Sequence, residues 1–243
     1  MAGPAVRASG SPVARLVLAI DTSTRTSLVL VGRDEPEAVS RRAVRHRHGS
    51  HVLEQIDEAL RSAAATLDDI AAVAVGTGPG SFTGLRVGLA TAKTIAYARA
   101  TPIVGIRSSD ALRRAARLAS AAAGEAATAD LAIVLPAGAH DHYLARAGRD
   151  PVLVAPGGLV DELAGDRAVG IDVSPGLFGA DAEAEALGHA ALEMLPASLL
   201  AMAQERLARD ESDDVAELVP AYVALPRGVV RAAEELGWSP DLR

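Results

Sequence analysis

Val75-Gly-Thr-Gly-Pro-Gly-Ser-Phe-Thr-Gly-Leu-Arg-Val-Gly-Leu-Ala-Thr-Ala-Lys93 follows a short apolar run, Ala71 to Val75. Glycines and a proline crowd the turn, and an apolar segment then runs on to about Arg99. The pattern predicts a strand, a glycine-rich turn and a long helix. Gly80, Gly84, Gly88, Ala92 and Ala96 recur at four-residue spacing, which places small residues on one face of that helix. A glycine inside a helix costs about 0.8–1 kcal/mol relative to alanine. Close approach of another backbone along this face is the reading that offsets the cost.

Outward from this stretch the chain alternates strands and helices. Leu16–Ile20 and Thr26–Val31 read as strands joined by the polar turn Asp21-Thr22-Ser23-Thr24, and Ala38–Arg45 as a third strand. Val52, Leu53, Ile56, Leu60 and Ala63 keep helical spacing. Strand Ile103–Ile106 and a helix from Ser108 to about Ala123 follow the glycine-rich segment. After a small-residue linker at 124–130 the pattern restarts. Strands at Leu131–Leu135, Asp141–Arg146 and Val152–Ala155, a helix near Leu159–Ala164, a strand at Ala168–Ile171 and helices at Ala182–Leu195 and Ala197–Arg209 repeat the first order. The expected class is α/β with duplicated βββαβα units. The expected divisions are a disordered tail at 1–13, lobes at 14–107 and 108–215, and a returning segment at 216–243. Val219 to Pro226 reads as extended, and Val229–Leu236 as a short helix.

Bulk properties exclude several classes. Hydrophobic residues make up 49% of the chain and aromatics only 2%, so a core of Leu, Val, Ile and Ala is expected. A formal net charge of −7 argues against a general nucleic-acid or membrane-surface binder. There is no cysteine, hence no disulfide or thiolate nucleophile. No apolar run reaches the roughly 20 residues of a membrane span, and Met1–Pro12 lacks an apolar signal core, so a cytoplasmic place is expected.

Candidate sites carry competing readings. Gly76-Thr-Gly-Pro-Gly80 is neither a dinucleotide fingerprint nor a Walker loop, and helix packing is favoured over anion binding there. Asp21, Thr22 and Ser23 either hold Mg²⁺-phosphate, as in actin-like ATPases, or form an Asx/ST turn. The repeat's second turn, Pro136-Ala-Gly-Ala139, has neither carboxylate nor hydroxyl. His46, His48 and His51 lie among arginines, and His140 and His142 have no third ligand nearby, so no metal is expected. Ser81 lacks the spacing of a nucleophile elbow. Arg41, Arg42 and Arg45 form a basic edge that is either solvated or a contact for RNA or an acidic partner.

Leu18-Ala-Ile-Asp-Thr-Ser-Thr24, Gly78 to Lys93, Pro102-Ile-Val-Gly-Ile-Arg-Ser-Ser109 and Val219-Pro-Ala-Tyr222 together resemble the TsaB (YeaZ) family. The resemblance implies a two-lobed actin/Hsp70/sugar-kinase-like (ASKHA, RNase H-like) fold. It implies an accessory, non-catalytic subunit in the synthesis of threonylcarbamoyladenosine in tRNA. The implied partners are a TsaD-like catalytic subunit, a TsaE-like ATPase and, for the isolated chain, a second copy; tRNA would be met indirectly. TsaD-like chains carry an H-x-x-x-H metal pair where this one reads Ile106-Arg-Ser-Ser-Asp110. TsaB proteins usually show an Asp-Ala-Arg-like turn where this one has Pro136-Ala-Gly138. No cofactor of its own is expected, and ATP only at a joint site with partners.

On this reading the helices at about 49–64 and 81–99 form the partner surface. The candidate interface residues are Val52, Ile56, Gly80, Phe82, Thr83, Gly84, Leu85, Arg86, Gly88, Leu89 and Ala92, with the glycines as clearance for a partner helix. The rival readings are an actin-like ATPase using Asp21, a glycoprotease-like peptidase, and direct tRNA binding through the arginine edge.

Overall fold

The structure is a computed structural model that describes residues 15–43, 51–125, 130–138, 140–155, 157–163, 165–179 and 182–223. The tail at 1–13, Arg45 with His46 and His48, and the helix expected at Val229–Leu236 lie outside the described residues. Strands β1 (Val17–Asp21), β2 (Thr26–Gly32), β3 (Pro36–Ala43), β4 (Ala72–Gly76) and β5 (Ile103–Ile106) form one sheet in the order β3-β2-β1-β4-β5. Strands β6 (Leu131–Ala137), β7 (Asp141–Ala145), β8 (Val152–Val154) and β9 (Arg167–Gly170) form a second, ordered β8-β7-β6-β9. In each, the first three strands meander antiparallel and the fourth pairs parallel to the first.

The helices are α1 (Val52–Ser62), α2 (Phe82–Arg99), α3 (Ser108–Ala122), α4 (Leu159–Glu162) and α5 (Ala182–Ala208). The element order β1β2β3α1β4α2 is therefore repeated as β6β7β8α4β9α5, with β5 and α3 between the copies. This is the duplicated, two-lobed arrangement that the sequence predicts.

Each central strand is an uninterrupted apolar run because both of its faces are covered. Val17 and Ala19 of β1, Ala72 and Ala74 of β4, and Leu131, Ile133 and Leu135 of β6 share one core with α3 and α5, which lie between the sheets. The alternate residues Leu18, Ile20, Val73 and Val75 face the opposite way and pack with α1 and α2. Ala132 and Val134 likewise face Leu159 of α4 and the segment bearing Val173 and Phe178.

One expected break does not occur. The two helices expected on either side of Pro196 are a single helix, with Pro196 inside it. An interior proline costs about 3 kcal/mol through its missing N–H and its clash with the preceding turn. Leu195, Leu199, Leu200, Ala203 and Leu207 are all buried in the shared core. Burial of a Leu side chain contributes about 1.5–3 kcal/mol, so packing on both sides of Pro196 holds the helix through it.

Candidate functional site

The parallel strands β1 and β4 end side by side, so the Asp21 turn faces the glycine-rich segment after β4. Asp21 is 1% exposed. Its Oδ1 accepts from the Ser23 backbone N–H (2.8 Å) and the Ser23 hydroxyl (2.6 Å). Its Oδ2 accepts from the Ser108 hydroxyl (2.6 Å), which itself accepts from the Gly78 N–H (3.1 Å). One carboxylate thus ties β1, the loop after β4 and the start of α3. A Cβ at Gly76 would lie 1.9 Å from Asp21 Oδ2, so glycine is required there. Burial raises the Asp21 pKa above the ordinary value, and the hydrogen bonds from Ser108 and Ser23 oppose that shift.

Thr22 and Ser23 are buried as well. The Thr22 hydroxyl donates to the Gly84 carbonyl in α2 (2.7 Å), and the Ser81 N–H donates to the Ser23 carbonyl (2.7 Å). These hydrogen bonds are those of the structural turn that is the alternative reading of Asp21, Thr22 and Ser23. Two residues beyond Ser23 the turn spans the lobes: the Arg25 N–H donates to the Asp172 carboxylate beyond β9 (2.6 Å). The sequence carried no signal for that contact.

Folding consequently favours the protonated form of Asp21. Its contribution to stability is full below the unfolded carboxylate pKa and is lost as pH rises through the raised folded value. The stability of wild type relative to Asp21→Asn should therefore decrease as pH rises across that interval, measured by urea unfolding at stepped pH. Parallel pH profiles for the two proteins would contradict this assignment.

The glycine stripe belongs to the same turn. A Cβ at Gly80 would sit 2.1 Å from the Ser23 carbonyl oxygen, at Gly84 2.1 Å from the Thr22 carbonyl oxygen, and at Gly88 2.2 Å from Thr22 Oγ1. The close backbone approach predicted for this face is real, but the neighbour is the chain's own turn rather than a partner helix. Val52, Ile56, Leu89 and Ala92 pack with the outward face of the first sheet, and Leu85 is 2% exposed. As partner anchors Val52, Ile56, Gly80, Gly84, Leu85, Gly88, Leu89 and Ala92 are thereby corrected to core residues.

What the helices leave in solvent is different. Leu53 of α1 is 64% exposed and Tyr97 of α2 is 81% exposed. Thr83, Arg86, Ala90 and Thr94 are exposed on α2, and Phe82 is half-buried. Thr83, Phe82 and Arg86 thus stay available from the predicted set, which did not include the exposed Leu53 and Tyr97. Their signal is an apolar side chain out of step with the buried positions of an amphipathic helix.

The segment after α5 runs back over this region. Asp213 accepts from the Gly105 N–H (2.6 Å) and from Arg206 (2.9 Å), and Lys93 Nζ donates to the carbonyls of Ala216 (3.0 Å) and Leu218 (3.1 Å). Burial alone would raise the Asp213 pKa; the Arg206 and Gly105 donors hold it below the ordinary value. The Ala221 N–H donates to the Thr77 carbonyl (2.8 Å), and Tyr222 packs on Phe82 with ring centroids 5.2 Å apart.

Two arginines of the edge, Arg41 and Arg42, are compensated. Arg41 pairs with Glu193 of α5 (2.6 Å), and Arg42 with Glu54 (2.7 Å) and Glu58 (3.3 Å) of α1. A tRNA contact at Arg41 and Arg42 would have to displace these acids. Replacing both by alanine should change tRNA affinity by less than about twofold at physiological salt, where the carboxylates left unpaired are screened. Filter-binding titration with tRNA checks this. A salt-sensitive loss of binding would restore the edge as an RNA contact. Among the described residues no group of three His, Asp or Glu side chains is placed to hold a metal ion. His142 is buried in β7, and its pKa is lowered by that burial.

The comparisons with known proteins agree with this architecture. The family model TsaD, tRNA N6-adenosine threonylcarbamoyltransferase, matches residues 36–177. An uncharacterized protein of Mycobacterium tuberculosis is 34% identical over 222 residues, covering 86% of this chain and 92% of its own. The tRNA threonylcarbamoyladenosine biosynthesis protein TsaB of Haemophilus influenzae is 39% identical over 101 residues, 41% of this chain and 42% of its own. YeaZ from Pseudomonas aeruginosa superposes with a TM-score of 0.62 at 21% identity, over 86% of this chain and 99% of its own. Motifs, duplicated fold and relatives converge: the chain belongs to the TsaD sequence family and is similar to TsaB (YeaZ) proteins.

Proposed function

We propose that this chain is a non-catalytic scaffold subunit that binds and activates a TsaD-type threonylcarbamoyltransferase in the synthesis of threonylcarbamoyladenosine in tRNA. One observation carries the reading. The turn that would serve an actin-like ATPase is consumed by internal hydrogen bonds, whereas the outer face of α1 and α2 presents Leu53, Arg86 and Tyr97 to solvent. The names of relatives place them in threonylcarbamoyladenosine biosynthesis, and other relatives are transferases of the same sequence family. In this reading the outer face is the docking surface for the TsaD-type subunit. The same face pairs two copies when the chain is alone. A TsaE-type ATPase joins the assembly, ATP is met only at a joint site, tRNA is contacted through the partners, and the complex works in the cytoplasm.

Two measurements on the purified full chain test this. Size-exclusion chromatography with a TsaD-type subunit should give a stable complex. Calorimetric titration with Mg-ATP should give neither tight binding nor turnover in the absence of partners. ATP hydrolysis by the chain alone would favour the ATPase reading.

A further inference from the structure

Arg86 stands apart from its neighbours. Arg42, Arg61 and Arg99 each have a carboxylate partner on the same lobe, and Arg41 has one on α5. Arg86 is exposed, and its guanidinium has no carboxylate partner among the described residues. It lies over the Phe82 ring, 5.3 Å from the centroid, within the range of a cation–π contact. Phe82 in turn packs on Tyr222, tilted by 37°.

This ladder gathers two of the six aromatic side chains in the protein (three Tyr, two Phe, one Trp). The strap that carries Tyr222 is fastened beside it by the Lys93 and Thr77 hydrogen bonds described above. Stacking confines a side chain that would otherwise be mobile, so less ordering remains to be done on contact. Positions 86 and 97 are about three helical turns apart and share a face, so Arg86 belongs to the same surface as Tyr97. The chain as a whole carries a net charge of −7. A pre-ordered, uncompensated guanidinium beside exposed aromatics is the composition of an interface anchor, and its complement is a carboxylate.

We propose that Arg86, held by the Phe82–Tyr222 stack, is the anchor that receives a carboxylate side chain of the docked TsaD-type subunit. The inference rests on the reading that this subunit docks on the outer face of α1 and α2. It adds the specific polar contact that fixes register there. It also gives the C-terminal strap a role, since Tyr222 positions Phe82 and through it Arg86.

The test is titration of the full chain with a TsaD-type subunit at low and at moderate salt. The variants are Arg86→Ala, Arg86→Lys, Arg86→Glu, Tyr222→Ala and the double variant Leu53→Asp/Tyr97→Asp, each checked for an unchanged melting profile. Arg86→Ala should weaken binding about tenfold or more and flatten its salt dependence, and Arg86→Glu should weaken it further. Arg86→Lys should not restore wild-type affinity, because an ammonium cannot stack and pair bidentately at once. Tyr222→Ala should fall between wild type and Arg86→Ala. If the double variant loses binding while every Arg86 variant stays within about twofold of wild type, the anchor is overturned and the docking face stands. If the double variant also binds normally, the docking face fails and the anchor with it.

Discussion

Gly84→Leu and Gly88→Leu should each destabilise the isolated chain by about 3–5 kcal/mol, through overpacking against the Thr22 backbone in the first and the hydrogen-bonded Thr22 side chain in the second. The new Cβ at Gly84 would meet the Thr22 carbonyl oxygen at 2.1 Å, and at Gly88 it would meet Thr22 Oγ1 at 2.2 Å. Neither neighbour is the free end of a flexible side chain. Thr22 is fixed by its bond to the Gly84 carbonyl, and the residue before it is held by Ser23 and Ser108. Relief therefore requires α2 to lift from the Asp21 turn, which strips Leu89 and Ala92 from the outward face of the first sheet. For a domain of this size 1 kcal/mol shifts Tm by roughly 2–4 °C, so a fall of about 6–20 °C is expected in thermal unfolding. A variant that melts like wild type but fails to bind its partner would return the glycine stripe to the intermolecular interface.

Leu53→Asp combined with Tyr97→Asp should do the reverse. Both side chains are mostly in solvent, so stability should stay within about 0.5 kcal/mol per site. Binding of a TsaD-type subunit should fall by about 100-fold, since a large apolar anchor at an interface centre contributes about 2 kcal/mol or more. Titration at matched concentration, with a melting curve beside it, separates the two effects. The contrast between this variant and the glycine variants distinguishes what α1 and α2 do for the fold from what they do for a partner.

The parts of the fold that were legible are those written in local period and punctuation. Uninterrupted apolar strands, turns at Asp21 and Gly76, and the amphipathic spacing of Val52, Ile56 and Leu60 give element order and the duplication directly. The shared core between the lobes was not legible, because helical spacing shows that α3 and α5 are apolar without showing which sheet each meets. Pro196 reads locally as a stop, and only burial on both sides of it makes one helix. The glycine stripe is the instructive case. Its period correctly announced a close backbone contact, but period cannot identify the contacting chain, and the Asp21 turn lies about sixty residues earlier in the sequence. Lys93 is the sole lysine of the chain, and its hydrogen bonds to Ala216 and Leu218 reach a segment more than a hundred positions away that no local pattern announces.

The same logic separates the two lobes at their turns. Asp21 is replaced in the repeat by Pro136-Ala-Gly138, which has no group able to pin its surroundings. The second copy is instead tied to the first through Asp172 and the Arg25 N–H.

Reconstitution of tRNA modification tests the scaffold role most directly. A TsaD-type subunit, a TsaE-type ATPase, tRNA and a source of threonylcarbamoyl-adenylate would be combined with wild-type chain, with Leu53→Asp/Tyr97→Asp, or with no chain. The scaffold role predicts threonylcarbamoyladenosine formation with wild type, and loss of it both without the chain and with the outer-face variant. Modification at the wild-type rate in the absence of this chain, or with the outer-face variant in its place, would contradict it.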